Sequence, residues 1–96
     1  MLMLITYDVN TETTAGRRRL RRVARTCLDF GQRVQNSVFE CEVDPEQWTR
    51  LRSRLVGEVD AMTDSLRFYQ LGKNGQRRIE HVGAKPTLDL QGPLLF

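Results

Sequence analysis

Leu20, Val23, Ala24, Cys27 and Leu28 recur at i, i+3, i+4, i+7 and i+8, which gathers them on one side of a helix. A second apolar stripe follows at Trp48, Leu51, Leu55, Val56 and Val59. Each helix thus has one side to bury, and extended hydrophobic sequence around it offers a sheet to bury it against. Met1 to Val9 reads as a first strand through the core, delivering Asp8 at its carboxyl end. Ser65 to Leu71 reads as another strand, rich in aromatics. Arg78 to Val82 alternates like a short final strand beyond an Asn74-Gly75 hairpin turn. Gln32 to Val43 is extended too, but its alternation changes phase. Val34, Asn36 and Val38 share one face, whereas Phe39, Cys41 and Val43 have the opposite parity. A slip of one residue requires a bulge, a kink or a very tight hairpin near Asn36-Ser37-Val38.

Helix ends are marked as well. Asp44-Pro45-Glu46-Gln47 supplies an N-cap aspartate, a proline at the first helical position and a glutamine in capping-box position. Gly31 sits where a left-handed C-terminal stop belongs. The order predicts an α+β fold, a ferredoxin-like β-α-β-β-α-β sandwich with an additional C-terminal strand. It spans residues 1–82, and residues 83–96 form a tail whose apolar end is Leu94-Leu95-Phe96. Both helices then cover one face of an antiparallel sheet and leave the other bare. Ninety-six residues make a marginal core. A homodimer through the bare face is therefore predicted, with the tail free to add to a partner's sheet edge.

Composition excludes several classes. With 40% hydrophobic and 28% charged residues the chain is neither disordered nor collagen-like. Its apolar runs are far shorter than the ~18 residues a membrane span needs. The opening Met1-Leu2-Met3-Leu4-Ile5 has no basic flank and no small-residue cleavage site, so it reads as a buried strand. Cys27 and Cys41 lie within apolar patterns and lack CxxC spacing, which argues against a disulfide framework, zinc or redox chemistry. A cytoplasmic protein with no membrane partner is expected.

Charge carries more. The net charge is +3, and thirteen of the fifteen basic residues are arginine, whose planar fork suits phosphate. Arg17, Arg18, Arg19, Arg21, Arg22 and Arg25 crowd into nine residues of the first helix. Of these, Arg18, Arg21, Arg22 and Arg25 lie opposite the apolar stripe. No interleaved glutamates relieve their repulsion. A phosphate-backbone surface, largely indifferent to nucleotide sequence, accounts for that clustering; a merely solvated face is the alternative.

Asp8 stands out as a carboxylate at the end of a hydrophobic strand. It is either a turn-former or a metal ligand, and one aspartate alone makes a poor magnesium site. Two-fold symmetry could bring two Asp8 side chains together. His81, the only histidine, has no ligand framework around it in the sequence and reads as a surface strand residue. Ser37 lacks a nucleophile-elbow context, and the scattered glycines form no phosphate loop. Phe39 and Trp48 read as core residues.

Tyr7-Asp8-Val9, the arginine-rich helix and Gln32-Arg33-Val34-Gln35-Asn36-Ser37-Val38-Phe39-Glu40-Cys41 together resemble CRISPR-associated protein two, the small adaptation protein of prokaryotic CRISPR systems. The resemblance covers roughly residues 2–82 and is nearest to the variety found beside subtype I-C systems. It implies a ferredoxin-like homodimer in which a strand from each C-terminal region joins the other subunit's sheet. It implies that Asp8 of both chains faces the dimer groove and holds a divalent cation, Mg2+. Arg33 and Phe39 match positions implicated in nucleic-acid cleavage, and Tyr7 adjoins the metal ligand. Two activities are implied: metal-dependent endonuclease action on RNA or duplex DNA, and a non-catalytic role in spacer acquisition. In the latter the dimer bridges two integrase dimers and holds prespacer DNA on Arg17, Arg18, Arg21, Arg22 and Arg25. A ferredoxin-like regulator binding a small ligand is the competing class, against which the exposed cationic strip argues.

Overall fold

The computed structural model describes residues 1–72 and 77–84. In chain order the elements are β1 (Leu2–Asp8), α1 (Thr14–Phe30), β2 (Gln32–Gln35), β3 (Val38–Glu42), α2 (Pro45–Glu58), β4 (Ser65–Leu71) and β5 (Arg77–Gly83). They form one sheet of order β2-β3-β1-β4-β5, with each adjacent pair antiparallel. The first four strands have the ferredoxin-like order, and β5 extends the sheet at β4 of its own chain. The Asn74-Gly75 turn and the apolar tail end at Leu94-Leu95-Phe96 lie outside the described residues. Among the described residues no helix is long and apolar enough to cross a membrane.

The phase slip after Gln32 has two physical sources. Asn36 and Ser37 form a two-residue turn between β2 and β3, so Gln35 faces Val38. The register also shifts between Arg33 and Gln35, a bulge on the β2 strand. Gly31 differs from its expected role. Its N–H does close the helix on the Cys27 carbonyl at 2.9 Å, but its backbone is extended and not left-handed. Glycine is needed there because a side chain would run into the Glu40 carbonyl and the Cys41 sulfur. At α2 the capping box forms as expected. Gln47 N–H donates to Asp44 Oδ1 at 2.7 Å, and Asp44 N–H donates to Gln47 Oε1 at 3.0 Å.

Both helices pack on one sheet face. Ile5, Phe39, Leu51, Leu55, Leu66 and Phe68 are fully buried between them, and Trp48 meets the Phe68 ring edge-on at 5.0 Å. The α1 stripe is narrower than its periodicity suggests. Leu28, expected inside, is 55% exposed, while Thr26 is buried. These two flank Cys27 on opposite sides of the helix. The α2 helix covers the Thr26 side, where the hydroxyl donates to Glu58 Oε1 at 2.6 Å. Nothing among the described elements covers the Leu28 side to the same degree.

Asp64, just before β4, is the most densely bonded side chain among the described residues. It is fully buried. Oδ1 accepts from the Asn10 N–H at 2.9 Å and the Thr63 hydroxyl at 3.0 Å; Oδ2 accepts from Arg19 Nε at 2.9 Å and the Asp60 N–H at 2.9 Å. Its carbonyl accepts from the Ala84 N–H at 3.0 Å. Gly83 must be glycine here: its φ is +121°, and a side chain would collide with that carbonyl. Burial pushes the Asp64 carboxyl up. Hydrogen bonds from Arg19, Asp60, Asn10 and Thr63 outweigh that and hold it below the ordinary carboxylate value.

A depressed folded-state pKa stabilises the protein fully above the ordinary aspartate value of about 3.9. The contribution fades as pH falls through the lower folded value. Asp64→Asn strands the Arg19 charge and should cost about 3–5 kcal/mol at pH 7. Urea midpoints of the two proteins should converge below about pH 4. A gap that stays constant down to pH 2 would show that the charge is irrelevant.

Cys27 and Cys41 are free and fully buried. Burial, with Cys41 and Glu58 adding, pushes the Cys27 thiol up to about 12; burial pushes Cys41 up to about 11. Neither should react with a disulfide reagent at pH 8 in the folded protein, and both should react in denaturant.

Candidate nucleic-acid interface and carboxylate site

The Thr13 hydroxyl caps α1 by accepting from the Gly16 N–H at 2.9 Å. No acidic residue occupies the first turn, so the positive end of the helix dipole adds to the arginines instead of being neutralised. The six arginines divide by role. Arg19 turns inward to Asp64. Arg17 is exposed but tied to its own turn, donating to the Thr11 carbonyl and the Thr14 hydroxyl at 3.1 Å each. Arg18, Arg21, Arg22 and Arg25 are all exposed, and none is ion-paired with a described acid. The expected cationic face is therefore present.

Tyr7, Arg33 and Phe39 come together on the helix side of the sheet. The Tyr7 and Phe39 rings stack with centroids 6.1 Å apart and planes 22° apart, and the Arg33 guanidinium lies 5.1 Å over the Phe39 ring. The Tyr7 hydroxyl donates to the Asn36 carbonyl at 3.4 Å. Burial raises the Tyr7 pKa, Cys27 adds to this, and Arg33 opposes it. Phe39 is fully buried, so its ring fills the core and supports Arg33, whose own side chain is exposed.

Asp8 does not join that cluster. Side chains alternate along β1: Met3, Ile5 and Tyr7 meet the helices, and Leu4 belongs to a separate apolar cluster with Val38, Tyr69, Leu71 and Ile79. Asp8 has the parity of Leu4 and is exposed on this helix-free face. Among the described residues no three of the His, Cys, Asp and Glu side chains could hold a metal together.

Two features escape sequence reasoning. Asp64 and Arg19 look like loop and surface residues until the fold brings them together over 45 positions. Arg67 and His81 share the face of Asp8 through pairing of Thr6 with Arg67 and of Arg67 with His81. Counting parity along all three strands would have found them, had the register been known.

The fold agrees with what comparison shows. Residues 1–79 match the sequence pattern of the family described as CRISPR associated protein Cas2. The chain is 66% identical over 96 residues to the CRISPR-associated endoribonuclease Cas2 of Chlorobaculum tepidum, covering 100% of each. It is 55% identical over 96 residues, again covering 100% of each, to the CRISPR-associated endonuclease Cas2 of Halalkalibacterium halodurans. Among solved structures, Streptococcus pyogenes Cas2 at pH 6.5 superimposes with a TM-score of 0.70 at 62% identity, covering 77% of this chain and 89% of that one. With a ferredoxin-like sheet order and matches of this length and identity, the chain belongs to the Cas2 family of CRISPR-associated proteins.

Proposed function

We propose that the protein is a nucleic-acid-binding homodimer of a CRISPR system that serves spacer acquisition. In this reading it bridges integrase dimers and holds prespacer duplex DNA along α1. The observation that carries the proposal is the outward set of Arg18, Arg21, Arg22 and Arg25, four guanidinium groups on one helix with no described acid paired to them. A stripe of that density on a solvated helix repels itself. A phosphate backbone relieves the repulsion and releases its own counterions. The homodimer is supported by the apolar cluster on the face that no helix covers, where Leu4, Val38 and Tyr69 are buried within one chain and Leu71 and Ile79 only partly so.

A second reading, metal-dependent phosphodiester cleavage, draws on exposed Asp8 and on relatives named endoribonuclease and endonuclease. Two Asp8 carboxylates across a two-fold axis suit a hard cation, because magnesium favours one or two carboxylates plus water and phosphate oxygens. The two Asp8 carboxylates would hold a magnesium ion there, which would neutralise charge at a phosphate and activate water.

Replacing Arg18, Arg21, Arg22 and Arg25 together by glutamine should weaken duplex binding and flatten its salt dependence. The log–log slope shrinks by about 0.9 for every phosphate that the variant no longer neutralises. Unchanged affinity and slope in a fluorescence titration would reduce the stripe to a solvated face.

Asp8→Asn separates the two readings. It should lower magnesium-dependent cleavage at least about a hundredfold, as losing roughly 3 kcal/mol of transition-state stabilisation would. Dimer formation by light scattering, duplex binding and spacer acquisition with integrase should all stay near normal. Failed acquisition despite normal assembly would make the groove chemistry essential and overturn the scaffold reading.

A further inference from the structure

At the β2 edge of the sheet three flat groups form a column. The Tyr7 ring stacks on the Phe39 ring with centroids 6.1 Å apart, and the Arg33 guanidinium lies 5.1 Å over the Phe39 ring. Tyr7 and Phe39 are buried and Arg33 is exposed, so the guanidinium is the outer end of the column. Arg33 also hydrogen-bonds the Tyr7 hydroxyl, and it is ion-paired with no described acid. The protein thus holds this cation from within, by a ring and a hydroxyl, and leaves its outer side to solvent. All four residues of β2 are exposed, and among the described strands β2 pairs with β3 alone.

Apolar side chains flank it. Among the described residues the exposed large hydrophobics are Leu28 at 55%, Val34 at 44% and Met62, and two of these three border Arg33. Val34 is its neighbour at the β2 bulge. Leu28 follows Cys27, whose thiol is close enough to Arg33 to feel its charge, on the flank of α1 that α2 does not cover. Leu28 also ends a ridge of the helix: Arg21, Arg25 and Leu28 stand at i, i+4 and i+7. A polyanion following the outward arginines along that ridge therefore arrives at Leu28 and Arg33. Phosphate needs only charge, whereas a planar cation between two apolar side chains suits a flat, apolar group carried on a phosphate chain. Nucleobases stack on guanidinium planes in this way. Inside a duplex both faces of a base are covered by its neighbours, so such a site takes an unpaired base. A peptide strand fits the same edge poorly, because four residues interrupted by a bulge offer a short and irregular ladder.

We propose that Arg33, supported by Phe39 and flanked by Leu28 and Val34, is a stacking site for one unpaired nucleobase of a strand whose backbone lies on the α1 arginines. The site deepens the reading in which α1 binds nucleic-acid backbone, and rests on it. It has a sign that a general cationic surface lacks. The α1 arginines contribute equally to any strand with the same phosphates, whereas the contribution of Arg33 depends on the base being present. Charge alone at position 33 does not reproduce it, since the stacking plane belongs to the guanidinium.

The probes are two end-labelled single strands with the same number of phosphates, an octamer of deoxyadenosine and an octamer of abasic sites, titrated into the intact protein in EDTA and read by fluorescence anisotropy. The wild-type chain should bind the adenine octamer about tenfold more tightly than the abasic one, the loss expected when one stacked base is removed. Arg33→Lys, which keeps the charge and loses the plane, should bring that ratio close to one. Leu28→Ser should lower it part of the way. Circular dichroism establishes that each variant folds. If Arg33→Lys misfolds, Leu28→Ser and Val34→Ser, both at exposed positions, carry the test, and a ratio that neither moves overturns the site. Equal affinity for the two wild-type probes, or a ratio indifferent to Arg33→Lys in folded protein, would overturn it as well. Glutamine at positions 18, 21, 22 and 25 should weaken both probes alike and preserve the ratio. If that variant binds both as tightly as wild type, the backbone reading of α1 fails, while the ratio still decides whether Arg33 stacks a base.

Discussion

A buried carboxylate sets the geometry on which both candidate surfaces depend. Asp64 takes hydrogen bonds from the loop after β1, from the turn after α2 and from an arginine on α1. These segments are distant in sequence and converge at one end of the sheet. Hydrogen bonds to a buried charge are worth roughly 1.5–3 kcal/mol each, and leaving such a charge unpaired costs more than the bonds themselves contribute. The alternatives to this arrangement are therefore disfavoured as a group. Arg19 is drawn inward, which fixes the rotation of α1 about its axis. Arg18, Arg21, Arg22 and Arg25 are then outward by helical geometry alone.

The same end of the sheet shows how a period of two separates chemistry. Tyr7 and Asp8 are consecutive, yet one stacks on Phe39 beneath the helices and the other lies exposed on the helix-free face. The four residues that the family resemblance groups as catalytic are thus on two sides of one sheet. Arg33, Tyr7 and Phe39 form a ring-supported cationic spot beside the edge strand β2. Asp8 belongs instead with Arg67 and His81. A phosphate group at Asp8 is out of reach of Arg33 unless another copy of the chain, or another part of the nucleic acid, connects them.

Much of this was legible in the sequence. The order of elements, the capping box at Asp44 and the outward arginines follow from periodicity and local hydrogen-bond chemistry, which depend on near neighbours. Leu28 and Gly31 show where that reasoning stops. Whether Leu28 is buried depends on which flank of α1 has a second helix against it. The need for glycine at position 31 comes from β3 passing close by, not from the local backbone angles. The Asn36-Ser37 region was narrowed to three forms, and it combines two of them, a tight turn and a bulge, because strand length alone does not specify pairing register. Asp64–Arg19 and the Asp8–Arg67–His81 rows depend on register between distant strands, which no local pattern encodes.

The two surfaces are on opposite sides of the sheet, yet the chain joins them at one end. Asp8 closes β1, α1 begins at Thr14, and only residues 9–13 lie between. Six residue steps span at most roughly 20 Å even when fully extended, comparable to about six nucleotides' rise along one strand of duplex DNA at about 3.4 Å each. The first turn of α1, with its uncompensated helix dipole and with Arg17 and Arg18 beside it, therefore overlooks the same end of the molecule as the Asp8 row. Asn10 makes the loop short and stiff, since its N–H is held by Asp64 and its side chain accepts from the Glu12 N–H at 2.9 Å. The carboxylate that turns Arg19 inward thereby also fixes the span between the arginine face of α1 and the row that contains Asp8.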